Sequence, residues 1–235
     1  MSALPPVFLL TAVYFLTGAA GVAVIKRKNP DIGGWVKFWV YFIIVHFILL
    51  LTLFFPEYLG YVFSLLLLIG LSEIIRVKPS RRILLPSVVI YLLVAVTFFL
   101  FLNLPLLVLY TYVVVFTFDG FSQIGGQLFG RTAISSISPG KTWEGTFTGF
   151  IAGIITMYFL YLVNPELLPK HFIPFTMLLM AIALAGDFGA SWYKRRCGVK
   201  DFATYIPGHG GVLDRFDSFF AAGAFSGLWY FCFSS

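Results

Sequence analysis

Charge is what this sequence has least of. Only 11% of its 235 residues are Asp, Glu, Lys or Arg, where soluble domains carry roughly a quarter. Its 28 phenylalanines and 60% hydrophobic content exceed what one core of a soluble chain this long could hide. That excludes an ordinary water-soluble domain and leaves the lipid bilayer as the solvent. Cysteine is scarce too. Cys197 and Cys232 are the only two, with no C-x-x-C and no neighbouring His pair, so neither reads as part of a metal cluster. The order of apolar runs puts them near opposite membrane faces, which argues against a disulfide between them. No internal repeat or low-complexity segment stands out. The opening MSALPP holds no Lys or Arg ahead of the first apolar run. It lacks the basic start of a secretory signal, so that run is expected to stay as a span.

What is there is a succession of apolar runs. A helix crosses the bilayer with about 20 mostly apolar residues. Runs near 5–25, 36–56, 58–75, 83–102, 104–118, 145–164, 172–192 and 217–234 fit. The fifth is short, and its border with the fourth falls at Asn103-Leu104-Pro105. The expected fold is an all-α polytopic membrane protein of about eight transmembrane helices. It divides into an N-terminal span region, 1–103, and a C-terminal region, 104–235, that carries the motifs. The loops after odd-numbered spans hold every basic residue except Lys170. Positive loops stay in the cytoplasm, so both termini are expected outside.

The basic residues Lys26 to Lys28 and Arg76 to Arg82 need no further explanation than topology and lipid contact. The acids are more informative, because acids at membrane depth are costly and usually face a cavity or a partner. Asp119 ends the run VVVFTFD and Asp187 ends MLLMAIALAGD, both near the cytoplasmic interface. The plain alternative is an acid paired with a nearby Arg for packing. Asp187, Ser191 and Lys194 share one face if the helix continues that far, and Asp214 and Asp217 share another. Carboxylates from separate elements, Asp119, Asp187 and Asp214, could meet at one depth as an all-oxygen site suited to Mg²⁺.

Two Gly-containing segments add to this. In ISSISPGKTWEGT, Ser138-Pro139 reads as a helix start, with Ser138 as N-cap. Lys141 and Thr142 beside a helix N-terminus make an anion-binding arrangement, or simply a cap. Ser135 stands where a Walker A loop needs Gly. GGQLFGR, 125–131, reads as a Gly-rich loop with Arg131, and PGHGG, 207–211, as another. His209 there could donate to a phosphate or shuttle a proton; a lone loop His is more often incidental.

The stretch SWYKRRCGVKDFATYIPGHGGVLDRFD, 191–217, resembles the signature of phosphatidate cytidylyltransferases, the CDP-diacylglycerol synthases. Ser191, Lys194-Arg195, Lys200-Asp201, Pro207, His209-Gly210-Gly211, Asp214-Arg215 and Asp217 follow it in register. ISPGKTWEG, 137–145, resembles a second landmark, and Gly186-Asp187 and the FGR at 129–131 fit too. The chain departs at Asp119-Gly120-Phe121-Ser122, where the family often has Asp-Thr-Gly-Ala, and at Ala190, where it often has Glu.

The resemblance implies that CTP and a lipid phosphate give a CDP-lipid and pyrophosphate. Phosphate monoesters are largely ionised near neutral pH, so the lipid phosphate can attack without a strong base. Metal ions and Lys or Arg stabilise the charge at the α-phosphorus. On this reading Asp187, Asp214 and Asp119 are metal ligands for Mg²⁺, with room for a second ion. Lys194, Arg215, Asp217, Ser191 and His209 act in catalysis, and Lys141, Thr142, Arg131 and Lys200 hold substrate. The partners implied are CTP, an anionic phospholipid substrate and membrane lipids, with a homodimer left open and no nucleic acid. The localisation implied is an integral multi-pass protein whose active site faces the cytoplasm. Two alternatives stay open: another lipid phosphate as substrate, and an ion or solute transporter with buried acids. A CDP-alcohol phosphotransferase is disfavoured, since Asp119-Gly120 is followed by Phe121, Ser122 and Gln123.

Overall fold

The computed structural model describes residues 4–28, 34–77, 79–165, 172–206 and 210–233. Among the described residues there are eight long helices: α1 (Leu4–Lys28), α2 (Gly34–Phe54), α3 (Leu59–Arg76), α4 (Arg81–Phe101), α5 (Pro105–Phe129), α6 (Trp143–Val163), α7 (Phe172–Arg196) and α8 (Leu213–Phe233). Among the described residues, extended pairing is confined to two isolated bridges, Ala133 with Thr142 and Ile206 with Gly210. The protein is therefore all-α. Among the described residues seven helices, α1 to α7, are long and apolar enough to cross a membrane, which makes the chain a multi-pass membrane protein. The eighth expected span is present as α8, but Asp217, Ser218, Ser226 and its glycines dilute its hydropathy. It is packed among protein side chains over much of its length, so its exterior has less lipid to match.

The chain forms two compact units, one of Met1–Leu49 with Tyr112–Met180, the other of Leu50–Thr111 with Ala181–Ser235. In the first, Phe15 stacks on Phe116 at 5.5 Å and meets Phe42 edge-on at 4.8 Å. Tyr14 and Thr156 join α1 to α6 through a 2.7 Å hydroxyl contact. The α5–α6 seam is built from small residues. A Cβ at Gly125 would lie 2.0 Å from Thr148 Oγ1, and one at Gly149 would lie 2.0 Å from Ser122 Oγ and 2.6 Å from the Phe118 carbonyl. Close backbone approach of this kind replaces the missing hydrophobic drive between helices in lipid.

This seam corrects two expectations. GGQLFGR is helical through Phe129, and Asp119 lies inside α5, not at its end. Packing against α6 outweighs the poor helix propensity of Gly125 and Gly126. The start of α6 also moves. Thr142, not Ser138, is the N-cap, its Oγ1 accepting from Gly145 N at 3.2 Å. Ser138 instead begins a turn, in which Lys141 N donates to its carbonyl at 3.0 Å, and Pro139 sits within that turn.

The second unit packs aromatics around α8. Phe63, Phe98 and Phe219 lie with ring centroids 5.3 to 5.6 Å apart. Gly223 and Gly227 let α8 approach Phe98 and Phe101 of α4. Thr111 and Ser226 pair their buried hydroxyls at 3.0 Å.

Candidate active site

In the second unit the charged stretch folds as the end of α7, a connecting loop and the start of α8. Helix α7 runs on past Asp187 to Arg196, as the shared face of Asp187 and Ser191 requires. Ser191 Oγ donates to Asp187 Oδ1 at 3.3 Å. The helix then stops in a Schellman arrangement: Gly198 N donates to Arg195 O and Val199 N to Lys194 O, at 3.1 and 3.0 Å. Gly198 has φ +71° there, a conformation that favours glycine.

Asp214 organises the loop between α7 and α8. It is buried, and Lys194 Nζ donates to its Oδ1 at 2.5 Å, with the two side chains 10% and 1% exposed. Its Oδ2 accepts from Phe202 N at 2.9 Å and Gly211 N at 2.8 Å. Lys194 also lies over the Phe202 ring, 5.2 Å from its centroid. A buried charge pair needs such added hydrogen bonds to offset its desolvation. Gly210, at φ +81°, leaves no room for a side chain: a Cβ would lie 2.6 Å from Asp214 Oδ2. Lys194 is thus directed at Asp214, while Arg215 and Lys200 are exposed.

Asp187 and Asp217 are half-buried, and they stand where α7 and α8 come close. A Cβ on Gly186 would lie 2.6 Å from Ala221 Cβ and 3.0 Å from the Asp217 carbonyl. Among the described residues, no three His, Cys, Asp or Glu side chains gather as a metal site. His209 lies outside the described residues.

The sequence pattern does not single out Glu73. This carboxylate on α3 is fully buried. Its Oε1 accepts from Val212 N and its Oε2 from Leu213 N, both at 2.8 Å. The two amides are among those a helix start leaves unpaired, and a carboxylate also suits the positive end of the helix dipole. The available signal was a lone acid inside the apolar run of α3, which is costly unless it is answered. Next to it, Tyr193 of α7 donates its hydroxyl to Ile74 O at 2.8 Å. Arg76 bonds the Tyr205 hydroxyl and lies 5.8 Å from its ring centroid.

Asp119, Arg131, Lys141 and Thr142 belong to the first unit. Its loop, between α5 and α6, is a short hairpin: Ile134 N donates to Lys141 O at 2.9 Å and Trp143 N to Thr132 O at 3.0 Å. Glu144 closes the base, its Oε2 accepting from Arg131 N at 3.1 Å and Thr132 N at 3.3 Å. The Arg131 side chain is exposed, and with Glu144, Leu128, Phe129 and Gly130 it lines an open cavity of about 410 Å³. The Thr142 hydroxyl serves the helix cap.

The model of the cytidylyltransferase family matches residues 103–233. A phosphatidate cytidylyltransferase of Haemophilus influenzae is 38% identical over 131 residues, covering 53% of this chain and 46% of its own. The chloroplastic phosphatidate cytidylyltransferase 4 of Arabidopsis thaliana is 45% identical over 108 residues, 45% of this chain and 27% of its own. The match thus spans less than half the length of these two. A phosphatidate cytidylyltransferase of Rickettsia prowazekii is 31% identical over 172 residues, 66% of this chain and 75% of its own.

Proposed function

The chain belongs to the cytidylyltransferase family, and from that membership we propose that it transfers a cytidylyl group from CTP to the phosphate of a membrane lipid of the phosphatidate class. The products are CDP-diacylglycerol and pyrophosphate. A lipid phosphate oxygen attacks the α-phosphorus of CTP, the new P–O bond forms in line, and the bond to the β-phosphate breaks. The observation that carries this reading is the family match over residues 103–233. It contains the whole charged stretch and the Lys194–Asp214 pair that organises it.

Mg²⁺ is proposed as the cofactor, an ion commonly held by one or two carboxylates with phosphate oxygens and water completing its shell. Asp187 would supply one carboxylate. Asp214 would supply another through the lone pair that Lys194 leaves on Oδ1, since a carboxylate accepts at about four positions. Asp217, on the same helix face as Asp214, is proposed to support them. When bound, such an ion would neutralise charge on the phosphates. Arg215 and Lys200 are proposed to hold phosphate oxygens, and Ser191 to orient Asp187, to which it already donates. Lys141 and Arg131 are proposed as phosphate-binding residues on the first unit's hairpin. Both loops are proposed to face the cytoplasm, on the strength of their basic residues.

The test is direct. Purified protein, given labelled CTP, Mg²⁺ and dioleoyl phosphatidate in mixed micelles, should form CDP-diacylglycerol and pyrophosphate in equal amounts. Absence of lipid-dependent pyrophosphate release with phosphatidate and with other lipid phosphates would sink the reading.

A further inference from the structure

We propose that Glu73 is a positioning residue, which clamps the first amides of α8 and so fixes the direction in which Asp214, Arg215 and Asp217 leave that helix start. What those three residues then do rests on the cytidylyl-transfer reading. Glu73 lies outside the segment that the family model matches, residues 103–233.

The geometry is specific. A helix start is ordinarily closed by a side chain at its own N-cap. Here Val212 and Leu213 offer apolar side chains at the start of α8. The acceptor comes instead from α3, far away in sequence. Both carboxylate oxygens are used, one per amide, at 2.8 Å. Glycine at 211 is part of the fit, since a Cβ there would lie 2.5 Å from Glu73 Oε1. One residue along, Ile74 takes the Tyr193 hydroxyl of α7. Helix α3 is therefore tied to both helices that carry candidate catalytic acids, α7 with Asp187 and α8 with Asp214 and Asp217.

Burying a carboxylate among apolar side chains is expensive, and a helix that needed only an end could use a local cap. The arrangement instead sets the rotation and depth of α8. Gln at position 73 keeps the shape but turns an amide group toward one of the two N–H donors, which leaves that donor unpaired. Asp at 73 keeps the charge on a shorter arm.

The experiment compares wild type, Glu73→Gln, Glu73→Asp and Gly211→Ala as full-length purified protein. Hydrogen exchange is read on peptides covering 210–217, and kcat and KM are measured separately for CTP and for phosphatidate. In Glu73→Gln, exchange at the Val212 and Leu213 amides should rise by about tenfold or more, with α6 unchanged. Its kcat should fall by about tenfold or more while KM for phosphatidate stays within about twofold. Glu73→Asp should restore part of both. Gly211→Ala, which wedges the same contact from the loop side, should reproduce the Gln variant, and it decides the matter if neither Glu73 variant folds. Native exchange at 210–217, or raised exchange with native kcat, would overturn the proposal. A wild type with no CTP turnover would sink the reaction reading instead, and the exchange data alone would then judge the clamp.

Discussion

Lys194 and Asp214 show how a single pair can serve a fold and a site together. The ammonium and carboxylate are almost fully withdrawn from solvent. Removing one partner leaves an uncompensated buried charge, which costs about 3–5 kcal/mol. Lys194→Ala should therefore lower the unfolding midpoint in detergent markedly, and Asp214→Ala should do so as well. The double variant should lose less than the sum, because the second removal relieves the first. Additive losses would show that the two side chains act independently. The sequence made this region conspicuous through its charge, but the pairing itself was not legible there. Helical spacing brought Asp187 and Ser191 onto one face, as observed. It could not say that the Lys194 ammonium turns to Asp214, because that contact depends on a loop returning across the end of α7. Glu73 was hidden for a related reason: its partners are backbone amides, which carry no residue signature.

Elements were legible to the extent that apolar length decides them. All eight expected runs became helices, with ends displaced by a few residues in most. The exceptions fall where glycine and proline carry two meanings. Gly125 and Gly126 read as a loop, yet they are the positions where α5 presses on α6. Ser138-Pro139 reads as a helix start, yet the turn after it delays α6 until Thr142. These corrections make predictions. Thr142→Ala should cost about 1 kcal/mol of stability through loss of the cap, whereas Ser138→Ala should cost little. Equal costs at both positions would contradict the assigned start. At the seam, Gly149→Leu should prevent stable folding, as its Cβ alone would collide with Ser122 Oγ and the Phe118 carbonyl. Gly140→Ala is the control, since nothing lies within 4 Å of its added Cβ, and its yield and melting point should match wild type.

On the scale of the molecule, the outstanding property is direction across the bilayer. The basic residues crowd into alternate loops, and that bias orients most membrane proteins. Loop 197–212 should then lie on the cytoplasmic side. Cys197 is a native probe of it, once the exposed Cys232 is replaced by Ser. Its chemistry sets the conditions. Burial pushes the Cys197 thiol above its ordinary range. The thiolate is the reactive form, so labelling at neutral pH should be slow. It should accelerate about tenfold per pH unit while the pH stays below the thiol's pKa. An impermeant maleimide added to sealed inside-out vesicles, whose cytoplasmic face is outward, should label Cys197 with that pH dependence. Right-side-out vesicles should stay unlabelled until detergent opens them. Labelling of intact right-side-out vesicles, with inside-out vesicles protected, would reverse the orientation and move the candidate site to the opposite face of the membrane.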